Sequence, residues 1–396
     1  MGTKAGIGMS HHRNPRVAGR EAAEKALGQA GIEKPDFVFM FATVGYNQPA
    51  LVKAVHEATG GVPLCGCSGE GTIAGYEAAE SPFSVTVMTI SSDEFHFSKG
   101  VTTGLQADPN GVGRTIAEVV QPELSSDTVG LFVFPDGITV NFDRFVNGLE
   151  ESLHPDRFLP LWGGTSAENF QWEKTYQYYN DQVISDGVAW ALLSGQVQVA
   201  WAVNHGCTPI GVERKITRAE GNIIYEIDGK PALEVLKEYV PPEEMDDLIK
   251  VVLAFSLGFK APGYMQDHNE YTIRAMVGGK DDQAGSVTIP TEVTEGTSVW
   301  ITRRDHELIS QGVDRIAEEI KGQLGDNPAK LVFHFDCAGR GKMMLRDPQK
   351  LGLLKTLRQK VGPDVPWLGF YSYAEIGPMK EHNCLHNYTA VVTAIY

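Results

Sequence analysis

Apolar residues in this chain fall into short, dense runs, and one order of runs occurs three times. Each time a strand-like run leads through a loop to an amphipathic helix and then to a Pro-apolar-apolar-Gly strand. In the first copy Phe37 to Val44 runs into Gly45, a helix face carries Leu51, Val52 and Val55, and Pro63-Leu64-Cys65-Gly66 follows. In the second, Val129 to Phe134 meets Pro135-Asp136-Gly137, Phe142, Phe145, Val146 and Leu149 share a helix face, and Pro160-Leu161-Trp162-Gly163 follows. The third has Leu331 to Phe335, then Asp336-Cys337-Ala338-Gly339-Arg340-Gly341, a helix, and Pro366-Trp367-Leu368-Gly369. An acidic residue trails each motif: Glu70, Glu168 and Glu375 lie four, five and six residues past Gly66, Gly163 and Gly369.

Hairpin-like strands complete the unit: Phe83 to Ile90, Tyr176 to Val183 with Val188 to Leu193, and Thr389 to Ile395. The pattern predicts an α/β protein with mixed sheets covered by helices, built from repeated β-α-β-β units in two pseudo-similar halves. A boundary is expected near Asn204 to Gly211, where an apolar stretch gives way to a polar one, dividing the chain into 1–205 and 206–396. Leu248 to Phe255 with Gly258 reads as a degenerate or accidental fourth copy, without its Pro-apolar-apolar-Gly strand. The most apolar stretch, Gly187 to Val203, is broken at Ser194-Gly195-Gln196 and predicts a hairpin, not a membrane span.

Composition narrows the function. Of 396 residues, 34 are Lys or Arg and 50 are Asp or Glu, a net charge of −16 that argues against nucleic-acid binding. Five cysteines without a CxxC spacing indicate neither a disulfide framework nor a zinc module. With no signal-peptide pattern at the N-terminus, a cytoplasmic protein away from membranes is expected.

The three Gly-containing loops stand at the ends of buried strands, where backbone N–H groups and short polar side chains can converge on one crevice. The candidate ligand contacts are Gly66, Ser68 and Glu70 from the first loop, and Gly164, Thr165 and Glu168 from the second. The third loop adds Cys337, Gly339 and Arg340, followed by Tyr373 and Glu375. Arg340 offers a planar fork to a carboxylate, or an ion pair to a residue such as Glu375. Tyr371, Tyr373 and Glu375 alternate, which puts them on one face of a strand. Gly66-Cys67-Ser68-Gly69 approaches a nucleophile elbow, but Glu70 stands where GxSxG needs glycine, and Gly339-Arg340-Gly341 lacks the Lys-Ser/Thr of a Walker loop. Of eleven histidines none forms a metal-ligand spacing; His205 and His386 are those expected to be buried.

These motifs resemble the FIST family of bacterial sensory domains. Gly66-Cys67-Ser68-Gly69-Glu70, Gly163-Gly164-Thr165-Ser166-Ala167-Glu168 and Val183-Ile184-Ser185-Asp186-Gly187-Val188 are similar to its N-terminal domain. Asp228-Gly229-Lys230-Pro231-Ala232-Leu233, Cys337-Ala338-Gly339-Arg340-Gly341, Gly369 to Pro378 and His386-Asn387-Tyr388-Thr389 resemble its C-terminal domain, with Ala374 where that pattern has glycine. The resemblance implies a stand-alone sensor of a small ligand, an amino acid or small anion, that regulates a signalling partner such as a histidine kinase in trans. It also implies an alternative, a haem-bound nitric oxide sensor, for which His205 or His386 would supply the axial imidazole. A third reading is a thiol- or serine-dependent acyl-transfer enzyme using Cys67, Ser68 or Cys337. A homo-oligomer is compatible with each of them.

Overall fold

A computed structural model describes residues 2–153, 158–240, 254–265, 270–276 and 285–396. Its α/β architecture has three six-stranded mixed sheets and one seven-stranded sheet. The three smaller sheets follow one plan. In the first, Lys4–Ser10, Val85–Ser91, Phe37–Ala42 and Leu64–Ser68 lie side by side, the last two parallel. The second repeats this order with Phe95–Thr103, Gly187–Gly195, Thr128–Pro135 and Leu161–Gly164. The third has Val199–Asn204, Ala390–Ile395, Leu331–Cys337 and Trp367–Ser372.

Each repeat gives a hairpin away. Gly71–Ala74 with Glu77–Ala79 leaves the first repeat to pair with Trp367–Ser372 of the third, and Gln177–Tyr179 with Gln182–Ile184 leaves the second for Leu64–Ser68 of the first. Glu375–Met379 with His382–His386 leaves the third for Leu161–Gly164 of the second, closing a cycle. This exchange corrects two expectations. Gly187–Gly195 and Val199–Asn204 are not a hairpin but strands of different sheets, because a repeat ends between them. Tyr371, Tyr373 and Glu375 do not share a strand face, because the chain changes sheets after Ser372.

Period-two patterning decides which way each strand faces. Phe37, Phe39 and Phe41 point to the centre, whereas Val38, Met40 and Ala42 of the same strand pack under the Pro15–Ala30 and Gln48–Ala58 helices. Two layers of three phenylalanines join the repeats. Phe39, Phe132 and Phe333 meet with ring centroids 4.8–6.0 Å apart, and Phe41, Phe134 and Phe335 form the next layer with centroids 5.3–6.5 Å from one another. Helix starts are written locally: Asn14, Asn47, Asp108, Asn141 and Asp305 each accept backbone N–H bonds from the first turn of the helix they precede.

The seven-stranded sheet is an insertion. It runs from Cys207–Glu220 to Ser298–Arg304, between the first strand of the third repeat and that repeat's His306–Leu324 helix. Asn204 to Gly211 is where the chain passes from one sheet to the other. Of the suggested fourth copy, Leu248 to Leu253 lies outside the described residues, while Gly258 sits in the Ser256–Lys260 strand of the insertion. Among the described residues no helix is long and apolar enough to cross a membrane.

Candidate functional site

The three strand-end loops do meet, and they spend their polar groups on one another. Glu70 N–H donates to the Tyr371 carbonyl at 2.9 Å, Ala167 N–H to that of Ser68 at 3.0 Å, and Thr165 N–H to that of Ala374 at 2.8 Å. The Ser68 hydroxyl donates to the Ala167 carbonyl at 2.8 Å and accepts from Tyr176 N–H at 3.0 Å. Thr165 Oγ1 accepts from Ala374 N–H at 2.9 Å, and Gly164 pairs with Glu375 as a strand residue. Gly66 lies inside a strand, and Gly339, packed against the Tyr388 ring, gives its carbonyl to Arg304. The crevice expected there is therefore a filled seam.

The charged residues of the seam are equally engaged. Glu168 accepts from Trp172 N–H at 2.7 Å, Gln171 N–H at 3.1 Å and the Tyr373 hydroxyl at 2.5 Å. Trp172 stacks on the Tyr373 ring at 4.6 Å, and the turn holds Phe170 and Trp172 at φ of 59° and 57°. Glu375 is fully buried, takes hydrogen bonds from Ser372 and Thr389, and is pushed well above the usual carboxylate range by burial. Arg340 pairs with Asp336 at 3.0 Å, not with Glu375, and donates to the Asn204 carbonyl at 2.9 Å. Burial would raise the Asp336 carboxyl, but the guanidinium beside it holds it below its ordinary value. The void at Arg340 measures ≈ 20 Å³, room for a single water.

Glu70 stands at the edge of the seam, paired with Lys342 of the third repeat. Burial pushes its carboxyl up to about 7, against the pull of Lys342 and with a further push from Glu80 and Glu168. Between pH 4.5 and 7 the folded state keeps a proton that the unfolded chain has lost, so stability falls as pH rises through that window. Glu70→Gln is expected to stabilise the protein by about 3 kcal/mol above pH 7 and to change nothing below pH 4.5, as read by urea titration.

Neither acyl transfer nor axial haem ligation fits the residues chosen for them. The Cys67 and Cys337 thiols are buried and pushed well above their usual range by desolvation, which removes the thiolate. Ser68 has no histidine beside it to take its proton, its hydroxyl being bound to Ala167. A haem iron needs a free imidazole nitrogen facing an apolar slot. His205 uses both ring nitrogens, accepting at Nδ1 from Cys207 N–H at 2.9 Å and meeting the Tyr271 carbonyl with Nε2 at 3.2 Å. His386 Nε2 lies 2.9 Å from the Gly377 carbonyl, inside the protein. These histidines do not fit the group, and among the described residues no cluster of three His, Cys, Asp or Glu could hold a metal ion.

Open space lies elsewhere, in a cleft of ≈ 290 Å³ between the insertion and the repeats. The insertion contributes Phe259, Tyr264, Met265 and Arg274, and the repeats contribute Asp143, at the start of the Phe142–Ser152 helix, with Cys384 and Leu385 of the exchanged hairpin. The two sides are joined by several contacts, one group of them around Asp143 and Glu292. Glu292 N–H donates to Asp143 at 2.8 Å, Arg144 meets Glu292 at 2.9 Å, and Phe142 N–H donates to the Pro290 carbonyl at 3.1 Å. Tyr264 stacks on His382 at 4.0 Å across the cleft wall. No sequence motif marks these residues; they come together only because the third repeat exports its hairpin to the sheet beside the insertion.

The chain is similar to several known proteins. An uncharacterized protein of Mycobacterium tuberculosis, Rv0628c, is 25% identical over 400 residues, 98% of each chain. Mb0898c of Mycobacterium bovis is 25% identical over 398 residues, covering 98% of this chain and 97% of its own, and MJ1623 of Methanocaldococcus jannaschii is 27% identical over 301 residues, 70% and 54%. Among solved structures, a chorismatase aligns with all of this chain and 99% of its own at 10% identity, with a TM-score of 0.35. A cyanuric acid hydrolase aligns with 49% of this chain and 69% of its own at 14% identity, with a TM-score of 0.28. The FIST N domain matches residues 36–230 and the FIST C domain residues 232–378, so the chain belongs to the FIST family.

Proposed function

We propose that this protein is a cytoplasmic sensor that binds a small ligand in the cleft between insertion and repeats and passes the signal to a partner in trans. The observation that carries the reading is the cleft itself. It is walled by two parts of the chain, so an occupant that contacts both walls favours one relative arrangement of them over others. A partner that distinguishes the arrangements reads the ligand through that difference, and the family resemblance makes a histidine kinase the first partner to try. The division at 205/206 sets the first two repeats and the first strand of the third apart from the insertion and the rest of the third repeat. Small-ligand sensing is also what the family assignment supports.

The test is a thermal-shift screen of the full chain with amino acids, organic carboxylates and inorganic anions, followed by hydrogen exchange with any hit. At least one compound is expected to raise Tm in a concentration-dependent way and to slow exchange in both Tyr271–Arg274 and Phe142–Ser152. Protection confined to the strand-end loops around Ser68 and Thr165 would return the ligand to the seam and defeat the cleft reading.

A further inference from the structure

Among the described residues of the cleft wall, Arg274 supplies the guanidinium, which is half-buried. Its Nε donates to Thr291 Oγ1 at 3.0 Å, and Nη1 donates to the carbonyls of Ile273 and Leu385, each at 3.0 Å. All three acceptors are neutral. That accounts for three of the five N–H donors and leaves both hydrogens of Nη2, which makes no hydrogen bond among the described residues. No carboxylate of those residues forms an ion pair with it within 4.0 Å; Asp143, also on the cleft wall, stands further off. The buried cations Arg340 and Lys350, by contrast, are paired with Asp336 and Glu80. The guanidinium is half-buried and hydrogen-bonded only to neutral groups, and Nη2, open to the cleft, keeps its hydrogens for an anion there. Burial weighs against the charged form of Arg274, and the charge of Asp143 favours it.

We infer that the occupant of this cleft is a small monocarboxylate with an apolar body, its carboxylate on Arg274 Nη2 and its body against Phe259, Tyr264, Met265 and Leu385. The inference rests on the proposal that the cleft is the ligand site. A carboxylate oxygen can accept a charge-assisted hydrogen bond from Nη2, and the volume of ≈ 290 Å³ lies at the small end of ligand pockets. A second carboxylate on the ligand is disfavoured, because Asp143 and Glu292 line the same cleft and would repel it.

The experiment titrates the full chain with phenylacetate and 4-methylpentanoate, with phenylacetamide as the neutral isostere and succinate as the dianion, by calorimetry. Occupancy is located by the rate at which iodoacetamide alkylates Cys384, the cleft thiol and the one cysteine of the five that is not fully buried. The monocarboxylates are expected to bind, to slow Cys384 alkylation at least fivefold at saturation, and to bind at least tenfold more tightly than phenylacetamide or succinate. Arg274→Gln is expected to abolish that preference, and Tyr264→Ala, which leaves the cation in place, to weaken binding while keeping acid preferred over amide. Binding that is equal for acid and amide, or unchanged in Arg274→Gln, overturns the ligand class while Cys384 protection upholds the cleft. If hits from the wider screen bind without protecting Cys384, the cleft reading itself fails, and with it the inference.

Discussion

Replacing Gly369 by alanine is expected to destabilise the protein by about 3 kcal/mol or more, enough to abolish folding in a marginally stable chain. The residue closes the third Pro-apolar-apolar-Gly motif and pairs in parallel register with His334. A Cβ built on it would lie 1.9 Å from the His334 carbonyl oxygen, a backbone atom that cannot swing aside. The same contact recurs at Gly66, 1.8 Å from the Met40 carbonyl, and at Gly163, 2.0 Å from that of Val133. The glycine that punctuates each repeat therefore permits two parallel strands to approach closely where the three sheets converge. Gly352→Ala supplies the contrast. It lies in the Asp347–Val361 helix with nothing within 4 Å of its Cβ position, and is expected to stabilise by up to about 1 kcal/mol. Urea unfolding of both variants reads the difference, and a Gly369→Ala protein as stable as its parent would show that the motif is only a turn signal.

Acidification from pH 6.5 to 4 is expected to remove about 3 kcal/mol of stability through His386 and a similar amount through His205. Burial lowers both imidazoles from 6.5 to about 4, with Arg274 adding to the effect at His386 and Arg340 at His205. Above pH 6.5 both states are neutral and nothing is lost. Below it the unfolded chain takes up protons that the folded protein refuses, until the folded imidazoles themselves protonate near pH 4. Glu70 opposes this from the other side, so stability should vary less between pH 4.5 and 6.5 than the histidines alone require. Denaturant titrations across this range check the slope, and His386→Gln, whose amide N–H can still reach the Gly377 carbonyl, should flatten it. An acid limb as steep in that variant as in the parent would assign acid lability to other groups.

What was legible in the sequence was whatever is encoded by neighbours along the chain. Three strand-loop-helix-strand copies, their helix faces and the loops bearing Glu70, Glu168 and Glu375 follow from periodicity and from Gly and Pro placement, and the structure contains them. Even the common core has a local mark, since Phe39-Met40-Phe41, Phe132-Val133-Phe134 and Phe333-His334-Phe335 occupy the same place in each copy. The convergence of the strand-end loops was legible too, but not whether their polar groups would face a ligand or each other. That depends on partners a hundred residues away, such as Ala167 for Ser68 and Tyr373 for Glu168.

Hairpin exchange belongs wholly to the tertiary structure. A hairpin's own residues specify that it forms, not which sheet edge it joins, because any exposed ladder offers it the same backbone donors and acceptors. Here the choice sends Glu375–Met379 and His382–His386 to the second repeat, and that places Cys384 and Leu385 opposite Arg274. Arg274 itself sits in a four-residue strand with no motif around it, so only the packed chain distinguishes it from Arg340. By itself the sequence determined the repeats, the helix caps and the family. That Arg340 meets a carboxylate within ion-pair distance and Arg274 does not was decided by long-range packing, because burial and pairing are properties of the assembled neighbours and not of the residue.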